Sequence, residues 1–246
     1  MDVIGVIPAR YSSTRFAGKI LADIMGKPML QHVWEQAKQC RMLDDLIIAC
    51  DNEIILKVAT DFGAHAMMTS KEHTCGTDRI SEVVNPLDVK VIINIQGDEP
   101  LVHPMMIDNL ARALMEDRSI NMVTLMKKIE NITDAADPNV VKVVVDKDNF
   151  ALYFSRAPIP FLASGSEITQ ATYYKHIGLY GYTKDFLFTY KNLPVSTLEK
   201  TEKLEQLRVL QEGFKIKVIE TNYETIGVDT PEDLQRVKEQ LQKRIS

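Results

Sequence analysis

The residues best suited to chemistry stand just after the first apolar run: Arg10, Arg15 and Lys19, with Ser12, Ser13 and Thr14 among them and Gly18 before the lysine. Guanidinium forks, an ammonium and backbone N–H groups can together share the charge of a polyphosphate. The pattern reads as a nucleotide triphosphate site. It follows the β-branched run at 3–7, the position at which an open α/β sheet presents its ligands. Spacing excludes the two common phosphate motifs: a P-loop needs Gly where Ser13 stands and Ser or Thr where Ile20 stands, and a dinucleotide fingerprint needs close glycines where Gly18 is alone. Charge by itself favours a solvated basic loop; the position after a strand is what favours chemistry.

A second signal is Ile92-Ile93-Asn94-Ile95-Gln96-Gly97-Asp98-Glu99-Pro100, an apolar strand pattern that delivers a carboxylate at its carboxyl end. Gly97-Asp98 is also an ordinary turn pair. A magnesium triphosphate asks the protein for one or two hard oxygen ligands, with water and phosphate oxygens completing the shell. Asp98 supplies one. Asp229, in Gly227-Val228-Asp229-Thr230-Pro231, is a candidate for the other, although the same residues read equally as a helix start with Thr230 as cap and Pro231 in the first turn.

These residues need a scaffold that brings strand ends to one edge. The 246 residues are 45% hydrophobic, enough for one large α/β domain or a domain with a subdomain. The net charge of −5 argues against nonspecific nucleic-acid binding, so a cationic site must be local. No signal peptide pattern and no apolar run of ~20 residues is present, and the expectation is a cytoplasmic protein without a membrane anchor. Cys40, Cys50 and Cys75 lack C-x-x-C spacing, and reduced thiols are expected.

Periodicity predicts strands over 3–7, 46–50, 91–95 and 122–126, with helices around 30–37, 54–59 and 105–115 between them. This βαβα succession implies a mainly parallel sheet with right-handed crossovers. Further strands are predicted over 140–145, 151–154 and 175–182, a surface loop over 158–166, and closing helices over 199–212 and 231–243.

Several ordered segments then carry a resemblance: Pro8-Ala9-Arg10-Tyr11-Ser12-Ser13-Thr14-Arg15 with Gly18-Lys19, Gly76-Thr77-Asp78-Arg79, Gln96-Gly97-Asp98-Glu99-Pro100, Ala151-Leu152-Tyr153-Phe154-Ser155-Arg156, His176-Ile177-Gly178-Leu179-Tyr180-Gly181-Tyr182, Leu204-Glu205-Gln206-Leu207-Arg208 and Gly227-Val228-Asp229-Thr230-Pro231-Glu232-Asp233-Leu234. Spanning nearly the whole chain in order, they resemble the 3-deoxy-manno-octulosonate (Kdo) cytidylyltransferases, the CMP-Kdo synthetases. The resemblance implies a nucleotidyltransferase-type, Rossmann-like α/β fold in one domain over 1–246, with about 130–200 forming a smaller sugar-binding and dimerisation region. It implies a cytoplasmic homodimer that joins CTP and Kdo for lipopolysaccharide biosynthesis.

Carried across, the resemblance makes Arg10, Lys19, Asp98 and Asp229 catalytic, with Asp98 and Asp229 binding Mg2+. It gives Ala9, Arg10, Ser13, Arg15, Lys19, Gly76, Thr77, Arg79 and Asp98 to the nucleotide. Gln96, His176, Tyr182, Glu205 and Arg208 are given to the sugar acid, with Arg208 facing its carboxylate. Read as residues alone, His176 and Tyr182 are equally hydrogen-bonded core positions, and Glu205 and Arg208 an ordinary helix-surface pair.

The chain departs from the family pattern in two places. Ala17 and Ile20 replace prolines around Gly18-Lys19, which frees φ and predicts weaker CTP affinity that Ala17→Pro with Ile20→Pro restores. Thr74 and Cys75 replace a Gln-Ser pair, which keeps open an 8-amino or sialic-type sugar acid; a catalytically silent nucleotide-binding protein is the alternative of another class. His73 with Cys75 offers too few ligands for a metal site.

Overall fold

The computed structural model describes residues 1–11, 18–73, 75–163 and 172–245. Ser13, Arg15, Ala17 and Thr74, and the end of the predicted 158–166 loop, lie outside them. The described chain divides into two compact units, Met1–Arg112 with Glu224–Ser246, and Ala113–Tyr223.

In the first unit, β1 (Val3–Ala9) is followed by a 3-10 turn, Lys19–Leu21, and the small ribbon β2 (Asp23–Ile24) and β3 (Lys27–Pro28). Pro28 then caps α1 (Met29–Ala37), where its missing N–H leaves no helical bond unmade. Next come β4 (Asp45–Cys50), α2 (Glu53–Asp61), β5 (His65–Met68), α3 (Gly76–Val84), β6 (Val91–Asn94) and α4 (Pro104–Glu116), the last reaching into the second unit. All pairings among β6, β1, β4 and β5, in that spatial order, are parallel. The parallel sheet expected from the βαβα pattern is therefore present. Its central strands are buried on both faces, which is why they read as continuous β-branched runs.

The second unit is a mixed sheet. β7 (Met122–Lys128) precedes the short α5 (Ile132–Ala136), β8 (Lys142–Val145), β9 (Ala151–Ser155) and β10 (Tyr174–Thr183). Helices α6 (Lys184–Asn192), α7 (Thr197–Glu202) and α8 (Leu207–Gln211) lead to β11 (Lys217–Glu220). β10 pairs antiparallel with β7 and β8, β8 antiparallel with β9, and β11 parallel with β7. One helix over 199–212 is not what forms. Lys203 takes a left-handed conformation, φ 58°, and its N–H closes α7 on Glu199 O. The chain turns there before α8 begins.

The chain then returns to the first unit through α9 (Pro231–Ile245). Val228 and Val237 pack with Ile24, Met29 and Leu101, with Ile226, Leu234 and Leu241 against them. At ~25 cal/mol per Å2 of apolar surface removed from water, such burial is what fixes the helix and the residue before it. None of the described helices is long and apolar enough to cross a membrane.

Candidate active site

The first unit assembles its charged centre at the carboxyl ends of β1 and β6. Lys19 Nζ donates to Asp98 Oδ2 at 2.6 Å, to Asp229 Oδ1 at 2.9 Å and to the Val228 carbonyl at 3.0 Å. Three residues that the sequence offered separately thus converge on one ammonium. Burial works against the charge on Lys19, but the Coulombic pull and hydrogen bond of Asp98, with those of Asp229, outweigh it and hold the ammonium pKa above its ordinary value.

Local sequence explains the convergence. Gly97 precedes Asp98 because a Cβ there would meet Ile20 Cδ1 at 2.7 Å and the Pro8 carbonyl at 3.2 Å. Ile20, next to Lys19, is buried against that glycine. On the other side, the Val228 N–H donates to Asp98 O at 2.9 Å, joining the two carboxylate-bearing segments. Thr230 and Asp233 cap α9 reciprocally: Asp233 Oδ2 accepts from Thr230 N, and Thr230 Oγ1 accepts from Asp233 N. Asp233 Oδ2 also accepts from Asp229 N at 3.2 Å. Asp229 is thus both adjacent to the helix cap and a partner of Lys19.

The donor set suits a magnesium ion. Carboxylate oxygens of Asp98 and Asp229 and a backbone carbonyl already surround one positive charge, and magnesium takes one or two protein carboxylates and keeps waters and phosphates for the rest. An all-protein metal cage is another matter: among the described residues no cluster of three or more His, Cys, Asp or Glu forms one. His73 Nε2 is hydrogen-bonded to Glu82, and Cys75 immediately precedes α3.

The remaining nucleotide candidates flank this centre. Ala9 ends β1 in the core, and Arg10 follows it in solvent. Gly76 and Thr77 open α3, where a Cβ on Gly76 would touch Pro8 at 3.4 Å. Arg79, on the same helix, is buried and engages Thr69, Ser70 and Asp51. Gln96, a candidate for the sugar acid rather than the nucleotide, follows β6, its Nε2 3.5 Å from Asn94 Oδ1.

In the second unit His176, Tyr180 and Tyr182 line one face of β10. The strand bulges between Ile177 and Tyr180. Since β7 advances one residue over that interval while β10 advances three, two extra residues are inserted and the alternation of faces is kept. Ring centroids run from Phe154 to His176 at 4.9 Å, to Tyr180 at 5.5 Å, to Tyr182 at 6.0 Å and to Tyr190 of α6 at 6.0 Å. Thr124 Oγ1 lies within 2.9 Å of His176 Nε2 and 3.1 and 2.9 Å of the Ile177 and Leu179 carbonyls, filling the bulge. Desolvation among these rings pushes the His176 pKa down to about 3, so its imidazole is neutral. Burial likewise pushes the Tyr180 and Tyr190 phenols well above their ordinary value.

Arg208 sits over the Tyr190 ring, 5.6 Å from its centroid. Its fork is held by Glu199, Nε to Oε2 at 2.7 Å and Nη2 to Oε1. Glu199, nine residues earlier, is thus a partner of Arg208, and the negative charge of Glu205 also reaches Tyr180, Tyr190 and Arg208. Glu199 is also half of a capping box with Ser196.

Comparison with known proteins bears on the whole arrangement. A cytidylyltransferase family model matches residues 4–219. The 3-deoxy-manno-octulosonate cytidylyltransferase of Geotalea uraniireducens is 49% identical over 99% of this chain and all of its own length. That of Solibacter usitatus is 52% identical over 96% of this chain and 92% of its own. This chain belongs to the 3-deoxy-manno-octulosonate cytidylyltransferase family. A solved structure of a CMP:2-keto-3-deoxy-manno-octonic acid synthetase complexed with CTP superposes with a TM-score of 0.93 at 40% identity, over 99% of this chain and the whole of that one. A 4-diphosphocytidyl-2C-methyl-D-erythritol synthase from Anaerococcus prevotii shares the fold, with a TM-score of 0.65 at 16% identity, over 98% of this chain and 99% of that one.

For this member of the family, the structure adds residues that sequence reasoning passed over: Asp51, Thr124, Tyr180, Tyr190 and Glu199. Tyr180 lay inside a quoted segment, two positions before Tyr182, and strand alternation alone placed both on one face. Asp51 and Thr124 carried no local signal, because each acts on a residue distant in sequence, while Glu199 carried only the signal of a capping box with Ser196 and none of its pairing with Arg208.

Proposed function

We propose that this protein is a Kdo cytidylyltransferase, converting CTP and 3-deoxy-D-manno-octulosonate to CMP-Kdo and pyrophosphate. The observation that carries the reading is the convergence of Asp98 and Asp229 on Lys19 beside the loop that follows β1. Full-length similarity to 3-deoxy-manno-octulosonate cytidylyltransferases supports the same activity and favours Kdo over other sugar acids and over a silent nucleotide binder. In the reaction the anomeric hydroxyl oxygen attacks the α-phosphorus of CTP in line. Its bond to phosphorus forms as the bond to the bridging oxygen of pyrophosphate breaks, and the hydroxyl proton passes to solvent.

Positioning and electrostatics carry the catalysis. Arg10 and Lys19 neutralise the triphosphate, while Ala9, Ser13, Arg15, Gly76 and Thr77 complete the nucleotide site. Asp98 and Asp229 would hold Mg2+, which when bound neutralises phosphate charge and lowers the pKa of a coordinated hydroxyl. The aromatic face of the second unit, with His176, Tyr182, Glu205 and Arg208, takes the sugar acid. Neutral His176 hydrogen-bonds without repelling or attracting the sugar carboxylate, which leaves Arg208 as its cation. A homodimer acting in the cytoplasm, in lipopolysaccharide assembly, completes the proposal. Incubation with CTP, magnesium and Kdo, followed by ³¹P NMR, tests it: CMP-Kdo and pyrophosphate should appear in equal amounts and only with the sugar. Pyrophosphate without Kdo, or no turnover with it, overturns the reading.

A further inference from the structure

We infer that Asp51 and Arg79 are positioning residues for the nucleotide, holding the root of the loop after β1 without touching the substrate. The inference rests on the reading of that loop as the triphosphate site. Asp51 stands at the end of β4, 9% exposed. Its Oδ1 accepts the Tyr11 N–H at 3.0 Å, and its Oδ2 accepts Arg79 Nη2 at 3.1 Å. Arg79, 3% exposed, reaches from α3 to Thr69 Oγ1 and, at 3.4 Å, to the Ser70 carbonyl. Thr69 in turn donates its N–H and hydroxyl to Cys50 O, at 2.8 and 2.9 Å. One guanidinium therefore joins the residues that follow β4 and β5 and, through Asp51, the residue at which the chain leaves β1.

Tyr11 is next to Arg10, on the same loop as Lys19, whose 3-10 turn opens at Gly18. Tyr11 is 40% exposed, and the hydrogen bond from its amide to Asp51 ties this point of the chain to β4. The other side is pinned by the 3-10 turn, where Leu21 N donates to Gly18 O at 2.9 Å. A buried ion pair is a poor source of stability, since apolar side chains of similar size often do as well. What the pair supplies that apolar groups cannot is a carboxylate with two acceptor oxygens, one for a fixed guanidinium and one for a loop amide. A root fixed before the nucleotide arrives holds the backbone next to Arg10 in one place, so that binding need not fix it.

Asp51→Asn is the test, because its amide has one acceptor oxygen for two donors and must lose Tyr11 or Arg79. CTP dissociation constants by calorimetry with magnesium, Kdo KM, and hydrogen exchange at the Tyr11 amide are measured beside Ile55→Val, a buried α2 change that lowers melting temperature away from the loop. The expectation for Asp51→Asn is CTP binding weaker by roughly tenfold, faster Tyr11 exchange and Kdo KM within twofold. Ile55→Val should leave CTP binding unchanged. If Asp51→Asn does not fold, Arg79→Lys serves: it keeps a charge for Asp51 but not the fork, and CTP binding should weaken by roughly threefold. Unaltered CTP affinity in the folded variant overturns the inference. So do equal losses for CTP and Kdo that Ile55→Val reproduces. Failure of the unaltered protein to bind CTP refutes the proposed function instead.

Discussion

Replacing Lys19 by Met tests whether the ammonium organises the two carboxylates. The substitution keeps an unbranched stem and removes the charge that Asp98, Asp229 and the Val228 carbonyl share. A charge-assisted hydrogen bond is worth ~1.5–3 kcal/mol when partly buried. Asp98 is 31% exposed and Asp229 45%, so the Asp98 bond falls near the lower end and the Asp229 bond in the surface range of ~0.2–1 kcal/mol. The loss comes to about 1.7–2.5 kcal/mol, or roughly 3–10 °C of melting temperature at ~2–4 °C per kcal/mol for a chain of this size. Two carboxylates left without their cation repel each other, so millimolar magnesium should raise the melting temperature of Lys19→Met by more than it raises that of the unaltered protein. Turnover should fall by ~10²–10³, the usual effect of removing one preorganised electrostatic group. Differential scanning fluorimetry with and without magnesium, beside a pyrophosphate-release assay, reads all three. A Lys19→Met protein with unaltered melting temperature and turnover would refute the reasoning.

Two further outcomes are expected. Gly97→Ala should cost about 1–3 kcal/mol by overpacking against Ile20 and Pro8 and lower kcat/KM; Ile20→Val, which removes the colliding Cδ1, should recover part of both, and strict additivity in a double-mutant cycle would contradict the contact. His176 should make the fold acid-sensitive: its pKa of about 3 lies below the unfolded value near 6.5, so the unfolded chain binds the extra proton. That stability is present above pH 6.5 and is lost as pH falls toward 3, by about 2 kcal/mol between pH 7 and 5. Urea unfolding at the two pH values should show this loss shrinking in His176→Gln, and an identical loss in the variant would assign it elsewhere.

Legibility in the sequence followed the physics of each element. β1, β4 and β6 are buried runs rich in Val and Ile, and β7 begins with five buried residues, so all four declare themselves. α3 escaped because Thr77, Arg79 and Ser81 are polar yet buried, which hides its apolar period. β5, His65–Met68, has no β-branched residue, and β11 has charged ends. Lys19, Asp98 and Asp229 were each legible as candidates from local context. Their meeting was not, since Lys19 and Asp229 stand 210 positions apart and are joined by Gly97, the Asp98–Val228 backbone bond and the α9 cap. Arg79 was legible as a cation, but not as a buried one, and Glu199 not at all as the partner of Arg208.

Kdo-dependent pyrophosphate release by Asp98→Asn, measured beside the unaltered protein with magnesium and CTP, tests the central claim most directly. Asn keeps the size of Asp98 and one acceptor oxygen but removes the charge that faces Lys19 and that would hold Mg2+. The account predicts a folded variant whose turnover is lost by at least ~10²-fold; sugar-dependent turnover at the unaltered rate would contradict it.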